Sequence, residues 1–125
     1  MKEIVIAGAV RTPQAKLGGA LKDFTNQRLG ELVLRGLLER TSIATTSVEE
    51  VVFGCVGQQS DAQNVARVIA MMSGISESVP AFTVNRNCAS GLQSVVSAAQ
   101  MILTGDAEVV VAGGTRPTGL EAVAW

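Results

Sequence analysis

The apolar positions of this chain fall into two alternating kinds of run. Residues 3 to 10, "EIVIAGAV", are apolar and β-branched, and the run stops at "RTP". That pattern predicts a buried strand ended by proline. Further strands are predicted over "EVVFGCVGQ" at 50–58, "VPAFTVNRN" at 79–87, opened by Pro80, and "AEVVVAGG" at 107–114. Between them the spacing turns helical. "TNQRLGELVLRGLLER" brings Leu29, Leu32, Val33 and Leu37 to one side, with Thr25 or Asn26 as the cap. "QNVARVIAMMSGI" does the same with Val65, Val68, Ile69 and Met72 before Gly74, and "SGLQSVVSAAQMILTGD" predicts a third helix ended near Gly105. "AKLGGALKDF" and "TSIATTSVEE" are connectors.

Strands thus alternate with helices three times, and each strand is apolar on both faces. The expected fold class is α/β, with βαβ crossovers building a mainly parallel sheet covered by helices on both faces. The helices share no motif, so the even spacing is supersecondary regularity and not a repeat.

Composition narrows the function classes. The chain has 125 residues, the size of one domain, and its hydrophobic fraction of 47% contains only 3% aromatics, so Val, Ile, Leu and Ala must build the core. Ten basic residues stand against eleven acidic ones with no block of like charge, which argues against nucleic acid and acidic membrane surfaces as partners. The start, "MKEIVIAGAVRTPQAK", is too short and too mixed for a signal peptide or membrane span, so a cytoplasmic location is expected. Two cysteines without a CxxC spacing, and no histidine, make a metal site from this chain alone an unpromising reading.

The stretch that suggests chemistry is "NRNCASGLQS" at 85–94. In the predicted layout Cys88 sits just past the carboxyl end of the third strand and at the opening of the third helix, where ligands of open α/β sheets gather. The first N–H groups of a helix have no internal partner and the dipole is positive there, so a thiolate is stabilised. Arg86 could add to that charge. Ala89, Ser90 and Gly91 are small enough to let a substrate reach the sulfur, and a backbone N–H could donate to a developing oxyanion. The plain alternative is packing, since free cysteine is among the most buried residue types. That alternative is preferred for Cys55, inside a strand without polar neighbours, and for Met71 and Met72 as core fillers. Gln63, Asn64 and Arg67 read as caps and a solvated face, and the paired glycines at 113 and 114 lack the spacing of a phosphate cradle.

Taken together, "VRTPQAKLGGAL", "VVFGCVGQQSDAQNVAR", "VPAFTVNRNCASGLQSVVSAAQMI" and "GDAEVVVAGGT" resemble the amino-terminal part of the thiolases, the acetyl-CoA acyltransferase family. The resemblance covers residues 1–115 as an incomplete amino-terminal half, and leaves 116–125 as a tail of a different pattern. Where the family continues with an acidic residue, Ser and Met, this chain reads "TRPTGLEAVAW", so an exposed non-family tail is expected. For function the resemblance implies thioester exchange between a 3-ketoacyl-CoA and CoA, or acetyl-CoA condensation, with Cys88 as the acylated nucleophile. CoA thioesters are then substrates, no cofactor is needed, the setting is fatty acid metabolism, and the full-length form is a homo-oligomer. The activating histidine, second cysteine and CoA-holding loops of the family lie outside these residues, so this chain alone is expected to be inactive. Two other readings stay open: a catalytically dead fragment that keeps an oligomerisation surface, and a thiol-redox protein with Cys55 as the resolving partner of Cys88.

Overall fold

The computed structural model describes residues 1–116 and 122–124. In chain order the elements are β1 (Val10–Arg11), α1 (Asn26–Thr41), a 3₁₀ turn (Thr45–Ser47), β2 (Glu50–Gly54), α2 (Val65–Met72), β3 (Ala81–Val84), α3 (Ser90–Thr104), β4 (Val110–Thr115) and β5 (Ala122–Ala124). They form one five-stranded sheet of order β1-β5-β4-β2-β3. β2 lies parallel to both β3 and β4, whereas β5 runs antiparallel to β4 and to β1. The α/β class and the mainly parallel sheet expected from the sequence are what the chain adopts.

β2 is the spine of the sheet. Val51, Phe53 and Cys55 belong to the large apolar cluster with Leu29, Leu34 and Ile69 of α1 and α2. The alternate positions Val52 and Gly54 face the other layer, where α3 lies, as side chains on successive strand residues must. α3 turns only small residues inward, Ser90, Ser94 and Ala98, so it can approach the sheet closely.

Local chemistry explains the helix ends. Thr25 caps α1, its hydroxyl accepting from the Arg28 N–H at 3.1 Å, and Asn64 caps α2 in the same way. Gly105 ends α3 in the left-handed conformation that glycine adopts without cost. α1 and α2 are tied where Arg35 donates to the Met72 carbonyl at 2.6 Å, while Arg28 and Arg35 both bond the buried Glu31 carboxylate. Those guanidiniums, Arg28 foremost, hold the Glu31 carboxyl below its usual range.

Three expectations fail here. Residues 3–9 are not a buried strand: only Val10 and Arg11 pair, and Val5 and Ile6 are 74% and 66% exposed. The run has strand composition, but a strand needs a neighbour, and β1 is paired only as far as β5 reaches, with Val10 opposite Ala124. Leu32 lies outside the buried face of α1, which is formed by Leu29, Val33, Leu34, Leu37 and Leu38. The last residues are not wholly an exposed tail either, since 122–124 enter the sheet as β5 and Ala124 is fully buried.

Candidate active site

The carboxyl ends of β2 and β3 lie side by side, Gly54 opposite Val84, and the Cys55 N–H donates to the Val84 carbonyl at 3.1 Å. From Val84 the chain passes through a five-residue turn, 85–89, into α3. Cys88 is in that turn, free and exposed, one residue before the helix cap Ala89. The sequence placed it there, and the structure does the same.

The turn is built by its polar neighbours. Asn85 accepts from the Asn87 N–H at 3.0 Å, and Asn87 takes a positive φ of 49°, which asparagine tolerates better than other residues with a Cβ. Ser90 is the pin. Its hydroxyl accepts from the Arg86 N–H at 2.8 Å and donates to the Asn87 carbonyl at 2.6 Å, so it bonds the backbone on both sides of the bend. Gly54 makes room for it: a Cβ there would lie 2.3 Å from the Ser90 carbonyl carbon and oxygen. Sequence reading valued Ser90 only for small size. The signal available was a hydroxyl residue two places after a cysteine at a strand–helix junction, a position where Ser and Thr bond nearby backbone.

Around the sulfur the chain is open. Residues 85–89 are all exposed, and a Cβ on Gly91 would meet nothing within 4 Å. Among the described residues the Gly91 and Leu92 N–H groups take no backbone acceptor, so the amino end of a 15-residue helix presents two free donors beside Cys88. Arg86 has a direction now: its guanidinium donates to the Gln93 side chain on the first turn of α3.

Cys55 is a different thiol. It is buried, and burial pushes its pKa up against a weak hydrogen bond from the Asn26 amide at 3.8 Å. Its surroundings are therefore less apolar than the sequence suggested. Asn26 is fully buried and its carbonyl accepts from Thr115 Oγ1 at 2.9 Å, which fastens α1 to the end of β4. Asn64 and Arg67 work structurally, the first bonding Thr83 and the Ala81 carbonyl, the second the carbonyls of Val79 and Glu77. Met71 is 45% exposed and so not a core filler. No cluster of three or more potential metal-ligating His, Cys, Asp or Glu side chains occurs among the described residues.

With this geometry in hand, similarity to known proteins becomes decisive: residues 4–118 match the family described as the thiolase amino-terminal domain. The chain belongs to that family. It is 46% identical over 115 residues to an acetyl-CoA acetyltransferase of Syntrophomonas wolfei, covering 92% of this chain and 29% of that protein. It is 45% identical over 114 residues to a probable acetyl-CoA acyltransferase of Staphylococcus epidermidis, with 91% and 29% covered. The crystal structure of the Bacillus anthracis acetyl-CoA acetyltransferase superposes with a TM-score of 0.85 at 42% identity, over 88% of this chain and 28% of that one. The chain thus spans less than a third of these relatives' length. In this thiolase amino-terminal unit no helix among the described residues is long and apolar enough to cross a membrane.

Proposed function

We propose that Cys88 is the acyl-accepting nucleophile of a thiolase-type acyltransferase, and that this chain supplies the nucleophile turn of that enzyme. One observation carries the proposal: Cys88 is exposed at the amino end of α3, beside N–H groups without acceptors, on a turn fixed by Ser90. In the cleavage direction the Cys88 thiolate attacks the 3-keto carbonyl of a 3-ketoacyl-CoA and the Sγ–C bond forms. The bond between C2 and C3 then breaks, its electron pair leaves on the acetyl-CoA carbon, and that carbon takes up a proton. CoA thiolate attacks the acyl-cysteine, releasing acyl-CoA and restoring the sulfur. Free helix N–H groups of the kind at Gly91 and Leu92 favour the carbonyl oxygen as it gains charge.

This chain contains no histidine, so the base that activates a thiolase cysteine is not supplied by a histidine of these residues. CoA enters as substrate and no further cofactor takes part. Fatty acid metabolism in the cytoplasm, by a homo-oligomer of the full-length form, is the setting we assign; family membership and the relatives' names support its acyl-CoA chemistry.

Iodoacetamide at neutral pH, followed by peptide mass spectrometry, tests the assignment of the sulfur. Cys88 should be alkylated while Cys55 is spared, and a Cys88→Ser variant should take up no label at that peptide. Equal labelling of both thiols in the folded chain would overturn the proposal. Cleavage of acetoacetyl-CoA by the 125-residue chain alone should be undetectable.

A further inference from the structure

Two ties join the turn that carries Cys88 to α3, and they differ in burial. The outer tie is a relay of side chains: Arg86 donates to Gln93 Oε1 at 2.5 Å, and Gln93 Nε2 donates to Ser97 Oγ at 3.1 Å. The Arg86 bond lies in solvent, where water competes for both partners. The inner tie is Ser90. It is only 4% exposed, its hydroxyl accepts from the Arg86 N–H and donates to the Asn87 carbonyl, and its own N–H donates to that same carbonyl at 3.1 Å. Loss of the hydroxyl would take this acceptor from a part-buried N–H, a costlier loss than that of a bond made in water.

Ser90 also stands between the two groups that acyl transfer needs. Cys88 precedes it by two residues, and the N–H groups of Gly91 and Leu92, which take no backbone acceptor among the described residues, follow it directly. β2 supports the same point from beneath: a Cβ on Gly54 would lie 2.3 Å from the Ser90 carbonyl carbon and 2.7 Å from the Gly91 nitrogen. The sheet therefore sets where Ser90 sits, and the hydroxyl sets where the turn lies relative to it. A serine hydroxyl has one proton, and here the Asn87 carbonyl takes it, so none is left for the sulfur or a substrate. The role open to this side chain is geometric and not acid–base.

We propose that Ser90 is a positioning residue for acyl transfer to Cys88, its buried hydroxyl fixing the offset between the sulfur-bearing turn and the free donors at the start of α3. The proposal rests on the reading of Cys88 as the acyl acceptor and adds the residue on which that reactivity depends. A carbonyl attacked by the sulfur needs a donor near its oxygen as charge develops, so the offset matters for acylation. Alkylation by iodoacetamide builds no oxyanion and depends on access to the sulfur. The ratio of the two rates at Cys88 therefore isolates positioning from exposure.

The acyl probe is p-nitrophenyl acetate, an activated ester that needs no CoA-holding loop. Cys88 Sγ attacks its carbonyl and the Sγ–C bond forms; the ester C–O bond breaks, p-nitrophenolate leaves with the electron pair, and the thiol proton passes to the buffer. Acetylation and iodoacetamide alkylation of the Cys88 peptide are timed by mass spectrometry in the 125-residue chain at one pH. Ser90→Ala should lower the ratio of acetylation to alkylation about tenfold, and Ser90→Thr, which restores a hydroxyl, should return it to within about threefold of wild type. Gln93→Ala, which cuts only the solvent-exposed tie, should leave the ratio unchanged. In the wild-type chain the Arg86 amide, bonded to the Ser90 hydroxyl, should exchange about tenfold more slowly than the free Gly91 amide after correction for sequence. A ratio that Ser90→Ala does not move, or that Gln93→Ala lowers as much, would overturn the proposal. If Ser90→Ala loses its circular dichroism, the wild-type exchange decides, and equal protection of the two amides overturns it. Failure of the parent reading is distinct: wild-type Cys88 would then show no higher ratio than an unstructured peptide of residues 85–94.

Discussion

Asn87 holds the one left-handed backbone position in the turn that carries Cys88, with φ at 49°. A residue with a Cβ is strained there, asparagine least and β-branched residues most. Replacing Asn87 with Gly should leave stability within a few tenths of a kcal/mol, whereas Asn87→Val should cost about 2 kcal/mol. Urea denaturation of the two variants, with iodoacetamide labelling of Cys88 alongside, checks both the energy and its consequence. If the bend positions the sulfur, Val slows Cys88 alkylation and Gly does not. At this scale the sequence was informative about identity and silent about roles. "NRNC" placed a cysteine at a junction beside two residues suited to tight turns, but which asparagine takes the positive φ depends on how Ser90 bonds the backbone across the bend.

Elements meet at distances that glycine decides. A Cβ on Gly54 would sit 2.3 Å from Ser90 backbone atoms, and backbone at a helix start cannot move aside as a flexible side chain can. Gly54→Ala should therefore push α3 off β2 and cost about 3 kcal/mol, the upper end of ordinary overpacking. Gly36 is the control: it lies inside α1, a Cβ there meets nothing within 4 Å, and Gly36→Ala should stabilise by roughly 0.5–1 kcal/mol. Thermal melts of both variants check the pair, and a loss of equal size at the two positions would remove the close-approach argument. α1, α2, α3 and the three parallel strands were legible in the sequence because each satisfies a local rule, namely 3.6-residue spacing with caps or an apolar run between punctuating residues. β1 and β5 were not. Their pairing joins residues 10–11 to 123–124 across the whole chain, and no local pattern records which partner is present. Leu32 failed for a smaller reason: periodicity narrows the buried face of α1 to a sector but leaves its edge open, and Leu34 and Leu38, both in the apolar cluster, fall inside that sector instead.

For the whole molecule, the titrating groups predict how stability varies with pH. Glu31 is held below its usual range by Arg28 and Arg35, and Glu49 by the N–H groups of Glu108 and Val109, which its carboxylate accepts at the start of β4. A carboxyl depressed in the folded state contributes stability above its unfolded pKa of about 4.3, and that contribution is lost as pH falls through the folded value. Glu50 acts in the opposite sense, because burial raises its pKa and the folded chain prefers it neutral. The acid limb is expected from Glu31, whose carboxylate two guanidiniums bond, with Glu50 opposing it. The alkaline limb comes from Cys55, raised by burial: above an unfolded thiol pKa of about 8.5 the unfolded chain loses its proton while the folded chain keeps it, so stability falls as pH rises. Urea midpoints measured between about pH 3 and 10 should therefore trace a plateau with two descending limbs, bounded by those two unfolded values. Glu31→Gln should flatten the acid limb and leave the alkaline one, while Cys55→Ala should do the reverse. Because Arg35 also reaches the Met72 carbonyl, the Gln variant should lose part of the tie between α1 and α2 at neutral pH as well. An alkaline limb that survives Cys55→Ala unchanged would show that the buried thiol does not set it.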